Sequence, residues 1–86
     1  MKMLGTDLCT DCREAKKTLD HEGIAYEYTD FTESIEVLKE FLRFRDSHKE
    51  FGPAKEKGNI GIPCFVFEDG SMTFDLEEAV RKSKQA

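Results

Sequence analysis

The period of apolar and polar positions changes several times along the chain, and each change marks an element. Met1 to Leu4 is a short apolar stub that predicts a first strand, closed by a turn at Gly5-Thr6-Asp7. Over residues 10–22, Cys12, Ala15, Lys16 and Leu19 recur at helical spacing with charges between them. Thr10 or Asp11 can open that helix, and Gly23 can end it. Ile24-Ala25-Tyr26-Glu27-Tyr28-Thr29 alternates and is rich in β-formers, which predicts a second strand. Thr32 and Ser34 are candidate caps for a second helix running to about residue 48, where Ile35, Leu38, Phe41, Leu42 and Arg45 keep the helical period. Residues 49–61 are rich in Gly and Lys and predict a loop, with a short helical turn after Pro53. Pro63 opens a third strand, CFVFE. Glu68-Asp69-Gly70-Ser71 reads as a hairpin, and Met72-Thr73-Phe74 returns as a fourth strand. Asp75 caps a last helix, LEEAVRKSKQ, acidic at its start and basic at its end as the helix dipole favours.

The expected order is βαβαββα. A helix joining the first two strands implies a parallel, right-handed crossover, and the last two strands form a hairpin. An α/β architecture, a four-stranded mixed sheet flanked by helices, satisfies that order with one core and one domain over residues 1–86. Length agrees, since 86 residues bury one small core. The net charge of −5 argues against nucleic acid as partner, because phosphate binding needs clustered cations. No apolar run approaches the roughly 20 residues that span a bilayer, and the apolar stretch at the start is too short for a signal peptide. The expectation is a cytoplasmic protein, away from membranes, with reduced thiols.

The candidate chemistry lies in Cys9-Thr10-Asp11-Cys12. Two thiols at this spacing at the mouth of a helix can cycle between dithiol and disulfide, or hold half of a metal site. Cys9, at the helix entrance, is the expected nucleophile, because unpaired backbone N–H groups favour a thiolate there. Cys12, one turn inside, is the expected resolving thiol. Arg13 follows on the same face. Asp7 and Asp11 bring negative charge, which predicts a more reducing pair than neutral neighbours would. Cys64 reads as a small core residue on a strand. The competing metal reading joins it to Cys9 and Cys12 as a third ligand for zinc or an iron–sulfur cluster, and a non-catalytic binding domain is the blandest alternative. His21 and His48 end helices, Glu33, Glu36 and Glu40 make a wet helix face, and the phenylalanines are expected mostly in the core, with Phe44 or Phe51 edging a cleft.

This order, with Cys-x-x-Cys opening the first helix and Gly58-Asn59-Ile60-Gly61-Ile62-Pro63 leading into the third strand, resembles the glutaredoxins of the thioredoxin fold. The resemblance covers nearly the whole chain. It implies a thioredoxin-like, glutaredoxin-type fold and a disulfide oxidoreductase with catalytic Cys9 and Cys12. It further implies a cis peptide at Pro63 that turns the Ile62 backbone toward the cysteines, and substrate contacts from Thr10, Asp11, Arg13, Ile62 and Pro63. Arg45, following an apolar stretch, is expected to reach the cleft and meet a carboxylate there. No bound cofactor is implied. Glutathione is a possible co-substrate, and the partners are disulfide-containing proteins. The chain departs from the family pattern with Thr-Asp between its cysteines in place of Pro-Tyr. Thr6 stands where a Lys is usual, and Thr73-Phe74-Asp75 where Gly-Gly is usual. The reductant is therefore either glutathione or a flavoprotein disulfide reductase.

Overall fold

The computed structural model describes residues 1–85. Its elements are β1 (Lys2–Gly5), α1 (Thr10–His21), β2 (Glu27–Asp30), α2 (Ile35–Ser47), a 3-10 turn (Lys49–Phe51), α3 (Gly52–Glu56), β3 (Cys64–Val66), β4 (Met72–Thr73) and α4 (Leu76–Ser83). The strands form one mixed sheet in the order β2-β1-β3-β4. β1 runs parallel to β2, with Lys2 opposite Glu27 and Gly5 opposite Asp30. β3 runs antiparallel to β1, with Leu4 opposite Cys64, and β4 antiparallel to β3, with Phe65 opposite Thr73. The α/β class, the mixed four-stranded sheet and its helices are as the sequence predicts. No helix among the described residues is long and apolar enough to cross a membrane.

Side chains alternate across a strand, so the two central strands feed two cores. Met3 and Phe65 point to one face and meet Cys12, Ala15 and Leu19 of α1 and Ala79 of α4. Leu4, Cys64 and Val66 point to the other and meet Phe31, Phe41 and Phe51, with Val37 and Leu38 of α2. Helix starts are capped as expected at two places. Ser34 Oγ accepts the Val37 N–H, and the Asp75 carboxylate accepts the Glu77 N–H. The cap of α1 is neither Thr10 nor Asp11 but Cys9, whose sulfur accepts the Cys12 N–H.

Four boundaries differ from expectation. Residues 24–26 are not strand, because pairing begins where Lys2 meets Glu27 and earlier residues have no neighbour to pair with. Phe67 and Glu68 leave β3 for the same reason: Lys2 opposite Val66 is the last pair with β1, and Phe67 N–H closes the hairpin onto Ser71 O. The segment expected as a loop with a short helical turn after Pro53 has that turn as α3 and a 3-10 turn before it, so the order is βαβααββα rather than βαβαββα. The wholly buried Phe51 anchors it, edge-on to Phe41, Phe44 and Phe74, and Pro53 sits in the first turn of α3, where its missing N–H goes unused. Phe74, expected in β4 and the core, lies outside the strand and is 38% exposed.

Candidate active site

Where β1 ends, the chain turns through residues 6–9 and enters α1. Thr6 organises that turn. Its carbonyl accepts the Cys9 N–H at 3.1 Å, and its hydroxyl accepts the Leu8 N–H at 3.2 Å and bonds the Thr32 hydroxyl at 2.9 Å. Asp7 ties the same turn down. Its Oδ1 accepts from Lys16 at 3.0 Å and from the Tyr28 hydroxyl at 2.8 Å, and its N–H donates to Asp30 at 3.1 Å. The Tyr28 and Lys16 bonds hold the Asp7 carboxyl below the usual carboxylate range. Burial pushes the Asp30 carboxyl up, but bonds from Thr32 and the Asp7 amide outweigh it, and the net shift is downward. Burial and the bond to Asp7 push the Tyr28 phenol up. The Asp7 charge is thus partnered by Lys16.

Cys9 caps α1 and is half-buried, whereas Cys12 is wholly buried one turn inside. All three cysteines are free thiols. The Cys12 N–H donates to Cys9 Sγ at 3.4 Å, so a backbone donor already faces the sulfur that would carry charge. Burial pushes the Cys12 thiol up to about 12; the Thr6 backbone opposes this, and Cys9 and Asp11 add to it. Space around Cys12 is tight, because a Cβ at Gly5 would stand 2.7 Å from its sulfur.

Cys9 opens onto a cleft of about 830 Å³. Thr6, Leu8, Cys9 and Asp11 line one wall, and residues 57–62 with Pro53 and Ala54 line the other. Phe31, Thr32 and Phe74 complete it. The Ile62–Pro63 peptide is cis, and Ile62 lines the cleft. Of the remaining residues expected to contact substrate, Asp11 also lines it, while Thr10 and Arg13 stand beside it. The Arg13 guanidinium donates to the Asp7 carbonyl at 2.7 Å and to the Thr10 hydroxyl at 3.3 Å, which braces the start of α1. Arg45 is not among the lining residues. It donates to the Ile60 carbonyl at 2.9 Å and the Asn59 carbonyl at 2.8 Å, and so fixes the far wall from behind. Asp46 pairs with Lys55 at 3.3 Å rather than with Arg45.

Cys64 lies across the sheet from the pair, enclosed by the phenylalanine cluster, with its thiol pushed up to about 12 by burial. The sheet therefore keeps it from joining Cys9 and Cys12 as a third ligand. Among the described residues, no three Cys, His, Asp or Glu side chains converge as a metal site would require.

The Thr6–Asp7–Tyr28–Asp30–Thr32 network escaped the sequence reading. Its signal was present: Gly5 and Asp30 end neighbouring parallel strands, so the polar residues that follow each must meet. A Haemophilus influenzae protein described as uncharacterized is 33% identical to the chain over 72 residues, covering 84% of each. No family model and no solved structure matches the chain. At that identity and coverage, the chain belongs to the same family as this Haemophilus influenzae protein.

Proposed function

We propose that this protein is a dithiol disulfide oxidoreductase of glutaredoxin type, built on a thioredoxin-like arrangement and working in the cytoplasm. One observation carries the reading: the half-exposed Cys9 sulfur opens on a cleft while the buried Cys12 stands one helical turn behind, its N–H on that sulfur. Ile62 on the opposite wall lines the same cleft and supports it.

The Cys9 thiolate attacks one sulfur of a substrate disulfide. A Cys9–substrate disulfide forms, and the other substrate sulfur leaves as a thiolate that takes a proton from water. Cys12 then gives up its proton and attacks Cys9 Sγ. The substrate leaves as its second thiol, and a Cys9–Cys12 disulfide remains. Substrate gains two electrons and two protons, and the dithiol loses them. Glutathione or a flavoprotein disulfide reductase returns the electrons. Burial keeps the Cys12 thiol well above its ordinary value, so in the free dithiol it is protonated at neutral pH and does not compete with Cys9 for substrate.

The test is intact mass across glutathione redox buffers. Wild-type protein should lose two hydrogens reversibly as the buffer becomes oxidising, and Cys9→Ser should not. Turnover of a small mixed disulfide with each reductant in turn then identifies the donor. Thiols that never pair reversibly would sink the proposal.

A further inference from the structure

The two walls of the cleft have a composition that selects among disulfides. Leu8, immediately before Cys9, is 81% exposed, and Ile60 and Phe74 are 49% and 38% exposed. Ile35 and Leu42 on α2 are exposed too, but Leu8, Ile60 and Phe74 stand together as lining of the cleft into which Cys9 opens, and such a grouping marks a contact surface. Only two lining residues are charged, Asp11 and Lys57, and both are exposed and without an ion-pair partner among the described residues. Asp11 lies in the first turn of α1, two residues from Cys9. The arginines that might have added positive charge are engaged elsewhere: Arg13 on the Asp7 carbonyl and Thr10, Arg45 on the Asn59 and Ile60 carbonyls.

Glutathione is small, polar and carries two carboxylates, so it would meet one free cation, a carboxylate beside the nucleophile and apolar walls. A polypeptide segment with an apolar residue and a cation next to its cysteine fits the apolar walls and Asp11, and leaves the exposed Lys57 of the opposite wall to solvent. Its apolar side chain covers Leu8 and Ile60, and its cation faces Asp11. The acidic surface of the chain, with net charge −5, favours approach of the same cationic partner. We propose that the cleft takes disulfides of extended, apolar and locally cationic polypeptide segments, and discriminates against glutathione, with Leu8 and Asp11 as the specificity-determining residues. The inference rests on the oxidoreductase reading of the same site.

The experiment is single-turnover reaction of reduced protein with mixed disulfides of thionitrobenzoate. The partner thiol is a short peptide with Leu and Arg beside its Cys, the same peptide with Glu for Arg, or glutathione. In each, Cys9 attacks the partner's sulfur and thionitrobenzoate, the more acidic thiol, leaves with the bonding electrons and is read by its colour. Each rate is divided by that of the same probe with dithiothreitol, which removes intrinsic reactivity. Partial cover of an apolar side chain and an exposed ion pair are each worth about fivefold. The Leu-Arg peptide should therefore react about 25-fold faster than glutathione. Asp11→Lys should reverse the preference between Arg and Glu peptides, and Leu8→Ser should lower the ratio of the Leu-Arg peptide rate to the glutathione rate about fivefold. Both side chains are exposed, so neither change threatens folding. Glutathione reacting as fast as the Leu-Arg peptide, or preferences that survive both substitutions, overturns the inference. In that case a Cys9–Cys12 disulfide seen by intact mass leaves the oxidoreductase reading standing. A protein that reacts with no probe and never forms that disulfide loses both.

Discussion

Cys12 and Cys64 invite comparison because they are alike in nearly every simple measure. Both are wholly buried, both are free, and burial pushes both thiols up to about 12. They differ in what surrounds them. Cys12 sits one turn inside α1, its N–H on the Cys9 sulfur and the Thr6 backbone beside its own. Cys64 sits on the opposite face of the sheet among Phe31, Phe41 and Phe51. Burial alone therefore does not distinguish a resolving thiol from a packing residue. What distinguishes them is a second sulfur within reach and a backbone turn that holds it there.

The sharpest way to break that comparison is by substitution at sulfur. Cys12→Ser should leave the mixed disulfide on Cys9 unresolved and stop dithiol turnover, whereas Cys64→Ser should keep turnover and instead lower stability by about 1–3 kcal/mol, the cost of an unpartnered hydroxyl in an apolar site. Equal loss of turnover in the two variants would erase the distinction. Next in size are two glycines, one packed against Cys12 and one against Phe51. Gly61 has φ +94° and its Cβ would lie 2.6 Å from the Phe51 ring, so Gly61→Ala should cost about 2–5 kcal/mol in chemical denaturation, from backbone strain plus overpacking. Gly5 has no such φ, so Gly5→Ala should cost only the crowding of Cys12, about 1–3 kcal/mol. Gly5→Ala should also slow closure of the Cys9–Cys12 disulfide, measured by rapid quenching, while Gly61→Ala at a permissive temperature should not. A closure rate unaltered by Gly5→Ala would mean the tight fit around Cys12 is irrelevant to its chemistry.

The comparison can also be sharpened with pH. A buried thiol whose folded value lies above its unfolded one stabilises the fold fully below the unfolded value, and that contribution disappears as pH rises through the folded value. For Cys12 and Cys64 the window runs from 9.0 to about 12. Stability should decline through that range, and Cys12→Ala and Cys64→Ala should each flatten part of the decline. An unaltered slope in either variant would show that the thiol in question does not titrate as its burial dictates.

What was legible in the sequence was whatever repeats or caps. The strand–helix order, Ser34 and Asp75 as caps, and Cys9 ahead of Cys12 all follow from local pattern. Strand ends were not legible, because whether residues 24–26 pair depends on how far β1 extends, which is a property of the partner strand. α3 was legible only as a short helical turn after Pro53, and its extent was hidden for a related reason. Its sequence, GPAKE, has weak helical character, and its fold is fixed by the burial of Phe51 against three distant rings. Arg45 was read as a cation for the cleft because its position along α2 is legible and its target is not. Only the folded loop reveals two carbonyls waiting for it.

The bonds that hold the two walls of the cleft respond differently to acid. The far wall hangs on the Arg45 guanidinium and two carbonyls, none of which changes charge in any pH range where proteins fold. The wall carrying Cys9 hangs on the carboxylates of Asp7 and Asp30, both held below their usual range, so their contribution is complete above 3.8 and fades as pH falls through the folded values. The cleft thus has one jaw with an acid-labile hinge and one without. In acid, amide protection at Asp7 and Thr32, both bonded to the Asp30 carboxylate, should fail while the Asn59 amide, bonded to the Ala54 carbonyl, is still protected.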